Sequence, residues 1–164
     1  MKKIVYADGS SLGNPGKGGW AFLVMDVARN LIWEFGGRED GVTNNQMELR
    51  AMLESLLQLH KSKHIGEVEF RLDSQYVIKG VTEWSKGWVK NGWKTANKKD
   101  VLNKDLWVKI LEAKHYLEAK GFEIKFTHVF GHTGERWNER VDEIAKSMAE
   151  KLKIDLKAGE RILD

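Results

Sequence analysis

The amino-acid sequence predicts an α/β protein with one mixed five-stranded sheet and helices on both of its faces. Two observations support this fold class. Three strand-like segments come first and are joined by turns, which favours antiparallel pairing. The two later strand-like segments are separated by amphipathic helices, and strands joined by such crossovers lie parallel in one sheet.

The first three predicted strands are short and apolar, and they cover Lys3–Ala7, Trp20–Met25 and Leu31–Gly36. A glycine-rich stretch, GSSLGNPGKGG, separates the first two strands, and a polar turn at Asp26–Asn30 separates the second from the third. Glycine, proline, asparagine and serine are typical turn formers. We therefore expect Asp8 to stand at the carboxyl end of the first strand.

Helical periodicity is the main signal in the rest of the chain. A helix over Gln46–Lys63 is indicated by an apolar face of Leu49, Met52, Leu53, Leu56 and His60. The other predicted elements are a strand over Glu67–Leu72, a short helix from Ser74 to about Lys79, a helix over Asn103–Lys120, a strand over Glu123–Val129 and a helix over about Asn138–Leu152. Gly121 suits the position after a helix end. Ligands of such sheets bind beyond the carboxyl ends of the strands.

Length and composition limit the function classes. We expect a single domain over residues 1–164, because no linker or repeat divides the chain. Cysteine is absent, which excludes disulfides and thiolate metal sites. No apolar run approaches the ~18 residues of a membrane helix, and no signal peptide follows the first lysines. We expect a cytoplasmic monomer that does not bind membranes.

Positive charge is concentrated in one segment. The net charge of the chain is only +3, but residues 86–104 contain six lysines and one acid, Asp100. Four tryptophans lie in or beside this segment: Trp84, Trp88, Trp93 and Trp107. Lysines that meet phosphates and aromatic rings that meet sugars or bases are typical of nucleic-acid binding. Trp107 lies inside a periodic helix, so we predict that it belongs to the core.

Two acidic residues near the start of the chain have both a structural and a chemical explanation. Asp8 precedes a glycine and suits a turn. Glu48 stands three residues after Asn45, the spacing of a capping box at a helix start. Either carboxylate is equally suited to bind a cation.

Two acids further along the chain are similar. Asp73 suits the N-cap of the short helix that follows it. Asp142 precedes Lys146 by four residues, the favourable order for a helical ion pair. If all four acids converged, their mutual repulsion would require a cation among them, and Mg²⁺ prefers such oxygen ligands. Periodicity alone does not establish that they converge.

Five stretches of the sequence together resemble type 1 ribonuclease H. They are YADGSSLGNPGKGGW, TNNQMEL, LDSQYVIKGVTEW, GWKTANKKDVLNKDLW and GHTGERWNERVDEIA, in the order of that family, and they extend to about residue 150. The resemblance implies a ribonuclease H-like fold and hydrolysis of the RNA strand of an RNA/DNA hybrid. It also implies two Mg²⁺ ions, with Mn²⁺ as a substitute, and products with 3′-hydroxyl and 5′-phosphate ends. The tail, about 154–164, lies outside the resemblance.

The resemblance also implies roles for individual residues. The metal-binding catalytic carboxylates are Asp8, Glu48, Asp73 and Asp142. His132 matches a histidine that moves a proton or helps the product leave, which suits the ordinary pKa of imidazole, ~6.5. The residues expected to bind the hybrid are Ser11, Asn14, Thr43, Asn44, Asn45, Gln75, Trp84, Lys86, Trp88, Lys90, Lys94 and Asn103.

Other functions remain open at this point. His60 and His64 have the i, i+4 spacing of a zinc pair, but no third ligand stands nearby in the sequence. A binding module of the same fold would bind the hybrid without cutting it, and an integrase-like nuclease would act on DNA. Four intact acids argue against the first alternative, because binding alone needs no repelling cluster. The asparagines and the basic segment argue against the second.

Overall fold

The structure, a computed structural model, describes residues 2–131 and 134–163. Its six strands are β1 (Lys2–Gly13), β2 (Gly16–Asp26), β3 (Leu31–Val42), β4 (Glu67–Leu72), β5 (Glu123–His128) and β6 (Ala158–Arg161). Its helices are α1 (Asn44–Leu59), α2 (Gln75–Lys79), α3 (Ser85–Lys90), α4 (Lys104–Ala119) and α5 (Arg136–Ala149), with a π-helical turn over Gly80–Trp84 between α2 and α3.

The strands form one mixed sheet in the order β5-β4-β1-β2-β3-β6. The first three strands pair antiparallel, and β1, β4 and β5 pair parallel. This confirms the predicted fold class. The predicted number of strands is wrong by one, because β6, from the tail, pairs antiparallel with β3. Its four residues give no strand periodicity, so the pairing depends on tertiary contacts.

The first hairpin is much longer than predicted. Pairing of β1 with β2 continues through the glycine-rich stretch as far as Gly13 and Gly16, so Asp8 lies inside β1 and not at its end. The parallel pairing of β1 with β4, in contrast, ends at Ala7 and Leu72. Asp8 is therefore the first residue of β1 beyond that parallel partner, and Asp73 directly follows β4.

Helix caps in the structure differ from the predicted ones in a way that frees two acids. The N-cap of α1 is Thr43, whose capping box is completed by Gln46, and not Asn45 with Glu48. The N-cap of α2 is Ser74, whose Oγ accepts from the Val77 N–H at 3.2 Å, and not Asp73. The hydroxyl residue nearest each helix start makes the bond, so neither carboxylate is needed for capping.

The sheet separates two apolar cores. Helix α1 covers one face, where Leu49, Leu56 and Phe70 are buried, and α4 packs against α1. Helix α5 covers the other face with Val141 and Ile144. Helices on both faces are thus confirmed. Among the described residues, no helix is both long and apolar enough to cross a bilayer.

Trp107 is fully buried, as predicted for a core residue of α4. Its ring lies against Gly80, where a Cβ would come within 2.0 Å of the indole. This contact joins α4 to the helical segment after β4. That segment continues through the π-helical turn to Lys90, beyond the short helix that was predicted.

Candidate active site

Three carboxylates from three elements meet at one edge of the sheet. Single oxygens of Asp8 on β1, Glu48 on α1 and Asp73 after β4 all lie within 4.8 Å of one another. Asp8 is only 3% exposed, and the other two are half-buried. The structure therefore brings together residues that are 25 to 65 positions apart in the chain.

Local packing explains this convergence. At Gly9, a Cβ would lie 2.2 Å from the backbone carbon of Met47 and 2.3 Å from the Glu48 nitrogen. Only glycine allows β1 to approach α1 this closely. Because the first turn of α1 touches β1 here, the Glu48 side chain reaches the Asp8 carboxylate. The parallel pairing of β1 with β4 places Asp73 on the other side of Asp8.

Burial and crowding disfavour negative charge at this edge. Burial raises the pKa of Asp8 well above its usual range, and the charges of Asp73 and Asp142 raise it further. The pKa of Glu48 is likewise raised well above its usual range, first by burial and then by Asp8 and Asp73. The hydrogen-bond interaction between these two side chains lowers the pKa of Asp8 and raises that of Glu48.

Asp73 is flanked by polar groups from the end of the chain. Burial raises its pKa, Asn138 lowers it through a hydrogen bond from Nδ2 to Asp73 Oδ2 at 3.4 Å, and Asp142 raises it. The charge of His128, at the end of β5, acts in the lowering direction. The net pKa of Asp73 is raised, so this carboxylate also resists ionisation without a cation.

Asp142 is not part of the tight cluster, although its charge affects the pKa of two carboxylates in it. Its Oδ2 lies 2.9 Å from Lys146 Nζ, which confirms the helical ion pair expected from the sequence. The same ion pair raises the pKa of Lys146. The charge of Asp142 nevertheless raises the pKa of both Asp8 and Asp73, so it faces the same edge of the sheet.

The donor set fits a hard divalent cation. The clustered groups offer only oxygen, the ligand type that Mg²⁺ prefers, and their repulsion would be relieved by positive charge. Asn138 is buried, and its Oδ1 has no hydrogen-bond partner among the described residues. A buried oxygen of this kind beside Asp73 suits a hydrated ion, because metal-bound water can donate to it.

The structure bears on only one of the two groups of histidines singled out in the sequence. His132 lies outside the described residues. His60 and His64 do not form a zinc pair: His64 is exposed after the end of α1, and His60 Nε2 lies 3.2 Å from the Ala113 carbonyl oxygen. The clustered carboxylates, in contrast, are the group among the described residues that could hold a metal ion.

Five of the predicted substrate-binding residues lie together where the first hairpin meets α1: Ser11, Asn14, Thr43, Asn44 and Asn45. Ser11 Oγ donates to the Val42 carbonyl at 3.1 Å, and the Asn44 N–H donates to Asn14 Oδ1 at 3.0 Å. Asn44 and the next residue, Asn45, are exposed in the first turn of α1. These bonds connect the hairpin to the helix start and leave a polar surface beside the carboxylates.

Two further predicted residues are neighbours of Tyr76: Gln75 precedes it in the chain, and Asn103 is hydrogen-bonded to it. Gln75 is exposed at the start of α2. Asn103 has a left-handed backbone with φ of 61° and donates from Nδ2 to the Tyr76 hydroxyl at 3.2 Å. Its Oδ1 accepts from Gln46 Nε2 at 3.4 Å. Asn103 thus links α1 to the start of α4.

The lysine- and tryptophan-rich segment is only partly free to bind a ligand. Trp84 is 40% exposed, but Trp88 packs on Trp107 with ring centroids 5.2 Å apart. Lys86 and Lys90 are exposed and form no ion pair within the described chain. Lys94, also exposed, is paired with Asp100. Among the predicted substrate-binding residues of this segment, Trp84, Lys86 and Lys90 are therefore the most accessible to a ligand.

Sequence reasoning missed three neighbours of the carboxylates. Asn138 contacts Asp73, His128 ends the strand beside it, and a Cβ on Gly131 would lie 3.2 Å from Asp73 Oδ2. The pairing of β5 with β4 could have indicated His128, because Leu72 and His128 are register partners. The inward face of α5 was predicted without Asn138, since a polar residue carries no apolar periodicity.

A network of polar side chains connects β1, β4 and the start of α5. The Tyr6 hydroxyl donates to Glu135 Oε1 at 2.9 Å and accepts from Arg71 Nη1 at 3.0 Å. Tyr6 lies two residues before Asp8, and Arg71 two residues before Asp73. Glu135 is the N-cap position of α5. The network thus fixes the start of α5 against both strands that position the acids.

Comparison with known proteins agrees with this geometry. A family model described as RNase H matches residues 1–150. The chain is 39% identical over 153 residues to Ribonuclease H of Geotalea uraniireducens (strain Rf4), covering 93% of this chain and 97% of the relative. It is 43% identical over 150 residues to Ribonuclease H of Prochlorococcus marinus (strain NATL2A), covering 92% and 89%.

Solved structures show the same likeness. LC9-RNase H1, described as a type 1 RNase H with the type 2 active-site motif, superposes with a TM-score of 0.80 at 28% identity, covering 93% of this chain and 74% of that chain. LC11-RNase H1, solved in complex with an RNA/DNA hybrid, superposes with a TM-score of 0.67 at 25% identity, covering 91% and 97%.

Proposed function

Because the chain belongs to the RNase H family and is a ribonuclease H, we propose that it cuts the RNA strand of RNA/DNA hybrids internally with two divalent cations. The products would carry 3′-hydroxyl and 5′-phosphate ends. The observation that supports this proposal best is the convergence of Asp8, Glu48 and Asp73 within 4.8 Å. An RNA/DNA hybrid is also the ligand of the similar LC11-RNase H1.

Asp8, Glu48, Asp73 and Asp142 would hold the cations, which we propose to be Mg²⁺, with Mn²⁺ as a substitute. When bound, such a pair of ions supplies an activated water and stabilises the leaving oxygen of a phosphodiester. The protein contributes a fixed cluster of oxygen ligands between β1, α1 and the end of β4. Asn138 orients Asp73 through its amide, and Lys146 must share Asp142 with the ion.

His132, four positions before the first residue of α5 in the sequence, would accept or return a proton, or help the product leave. The proposal for this residue rests on the family motif, GHTGERWNE. The nearest anchored residue is Glu135, three positions later in the sequence, which accepts a hydrogen bond from the Tyr6 hydroxyl.

The hybrid would bind across the edge of the sheet on both sides of the carboxylates. Choosing RNA requires groups that contact 2′-hydroxyls in the minor groove. The exposed amides of Asn14, Asn44, Asn45 and Gln75 are suited to this, with Ser11 in the same loop. Thr43 and Asn103 would hold a phosphate of the DNA strand.

The second contact would be made by the helical segment after β4. Lys86 and Lys90 would meet phosphates of the DNA strand, Lys94 would do so after release from Asp100, and Trp84 would offer its exposed ring to a sugar. We place Trp88 behind this surface as a support, because its ring packs on Trp107. The enzyme is proposed to act as a monomer in the cytoplasm.

Cleavage of three matched duplexes tests the proposal. RNA/DNA hybrid, double-stranded DNA and double-stranded RNA of one sequence are incubated with Mg²⁺, with a chelator, and with Asp8→Asn protein. We expect only the hybrid to be cut, on its RNA strand, and only by unmodified protein with Mg²⁺. Tight hybrid binding without any cleavage would identify a binding module, and cleavage of DNA would identify an integrase-like nuclease. Either result would overturn the proposal.

A further inference from the structure

We propose that the opposite end of the sheet holds a second binding site, a cavity that takes a mononucleotide-like ligand made of a flat aromatic ring and a phosphate. The cavity has a volume of about 310 Å³ and lies between the start of β1, the turn before β3 and the end of α1. Lys3, in its lining, stands five residues before Asp8. At about 3.3 Å per strand residue, that is roughly 16 Å away.

The charged side chains that line the cavity are all basic. The lining includes four cationic side chains, Lys3, Arg29, Lys61 and Lys63, together with His64, and no carboxylate. The acid beneath it, Asp26, is fully buried and already accepts from Arg29 Nε at 2.8 Å. Four like charges around one cavity repel one another, and a bound anion would relieve this repulsion.

Two of the cations are held in place and still have free donors. Lys3 is 7% exposed, and its Nζ donates to Ser62 Oγ at 2.5 Å and to the His64 carbonyl at 3.0 Å. An ammonium has three N–H groups, so one is left without a partner within the described part of the chain. Arg29 is fixed through Nε, and its terminal nitrogens have no hydrogen bond to described residues.

Burial lowers the pKa of Lys3, while the charge of Asp26 acts to raise it and that of Arg29 to lower it. A ligand anion would favour the charged form of Lys3 in the same way as Asp26 does. The cavity therefore contains a buried cation that is only partly compensated by protein groups.

The remaining walls are aromatic and aliphatic, apart from the polar residues Gln58 and Ser62. Trp33 and Phe35 line the cavity with Val24 and Leu59. Phe35 is held by stacking on Phe22, with ring centroids 4.7 Å apart. A cavity of this size lies within the range of small-molecule sites and exceeds what a phosphate needs. The combination of flat apolar walls with a ring of cations fits an aromatic phosphate better than phosphate alone.

A simpler explanation makes a different prediction. Lys61 and Lys63 follow the carboxyl end of α1, where cations stabilise a helix through its dipole. On that explanation, replacing them would lower the melting temperature, and no aromatic phosphate would bind. Ligand binding therefore separates the two explanations.

The test uses AMP as the probe, with adenosine and inorganic phosphate as its two halves, in the presence of a chelator. Binding is followed on the full chain by two-dimensional NMR, with the indole N–H of Trp33 identified from Trp33→Phe protein. The charge variant is Lys61→Gln/Lys63→Gln. Its matched control is Lys86→Gln/Lys90→Gln, which removes two exposed lysines elsewhere.

We expect AMP to shift the Trp33 signal and to bind at least about tenfold more tightly than adenosine or phosphate. The Lys61→Gln/Lys63→Gln protein should bind AMP roughly tenfold more weakly, whereas the control keeps its affinity. Absence of a Trp33 shift at millimolar AMP, equal binding of phosphate alone, or equal weakening in both double variants would overturn the proposal. Hybrid cleavage by Lys61→Gln/Lys63→Gln protein should be unchanged, so failure of this site leaves the proposed function untouched.

Discussion

Replacing Asp8 by asparagine should make the metal-free protein more stable while abolishing its activity. The substitution keeps the shape of the side chain and removes one negative charge from the cluster. Asp8 is buried beside Glu48 and Asp73, with oxygens within 4.8 Å. An amide can also donate to Glu48, so the hydrogen bond between the two positions can be kept.

The size of the effect follows from the geometry. At an effective dielectric constant of about 20, two unit charges 4.8 Å apart repel by about 3 kcal/mol. The protein avoids part of this repulsion by protonating one carboxyl, which costs about 1.4 kcal/mol for each pH unit above its pKa. We therefore expect a net gain of about 1–3 kcal/mol at pH 7, or roughly 3–9 °C in melting temperature for a chain of this length.

The pH dependence has a definite sign. Since burial and neighbouring charges raise the pKa of Asp8 and Glu48 in the folded state, their protonated forms favour folding at low pH. This contribution is complete below the pKa of the unfolded chain and is lost as the pH rises through the folded pKa. The advantage of Asp8→Asn should therefore be small near pH 4 and grow toward pH 8.

Thermal unfolding with a chelator, from pH 4 to pH 8, measures this advantage. Asp155→Asn protein, which loses an exposed acid of the tail, is the matched control and should melt like the unmodified chain. Added Mg²⁺ should raise the melting temperature of unmodified protein more than that of Asp8→Asn protein. If this advantage is absent at pH 8, or equal at pH 4 and pH 8, the carboxylates do not repel one another in the folded protein.

Three further predictions concern positions outside the proposed metal ligands. Lys86→Ala/Lys90→Ala protein should bind hybrid more weakly, with a salt dependence reduced by about one unit of slope per lost phosphate contact, and an unchanged slope in filter binding would exclude this surface. Gly9→Ala should push α1 away from β1 and lower the cleavage rate far more than the hybrid affinity, which single-turnover kinetics and binding measure separately. Arg140→Gln should destabilise the protein by about 1–3 kcal/mol, measured by urea unfolding. The buried Glu34 side chain would lose a bidentate partner at 2.7 and 2.8 Å but keep its bond from the Lys157 N–H.

Local patterns in the sequence were sufficient to predict the order of the main elements and to identify the candidate acids. Apolar periodicity is a local property, so it predicted a buried Trp107 and the succession of three strands, a helix and alternating elements correctly. The pairing directions follow from the lengths of the connections, which are also local. The five family stretches then singled out four acids from the 24 in the chain.

How close these acids come to one another, and which groups surround them, depends on contacts between distant parts of the chain. Glu48 reaches Asp8 only because Gly9 allows two backbones to touch, and Asp142 lies outside the tight cluster, paired with Lys146. The sixth strand depends on the tail: Arg140 binds the Asp155 carbonyl oxygen at 2.8 Å and also the buried Glu34, which accepts from the Lys157 N–H. Such contacts join residues far apart in sequence, and close packing across that separation leaves no periodic signal in the chain.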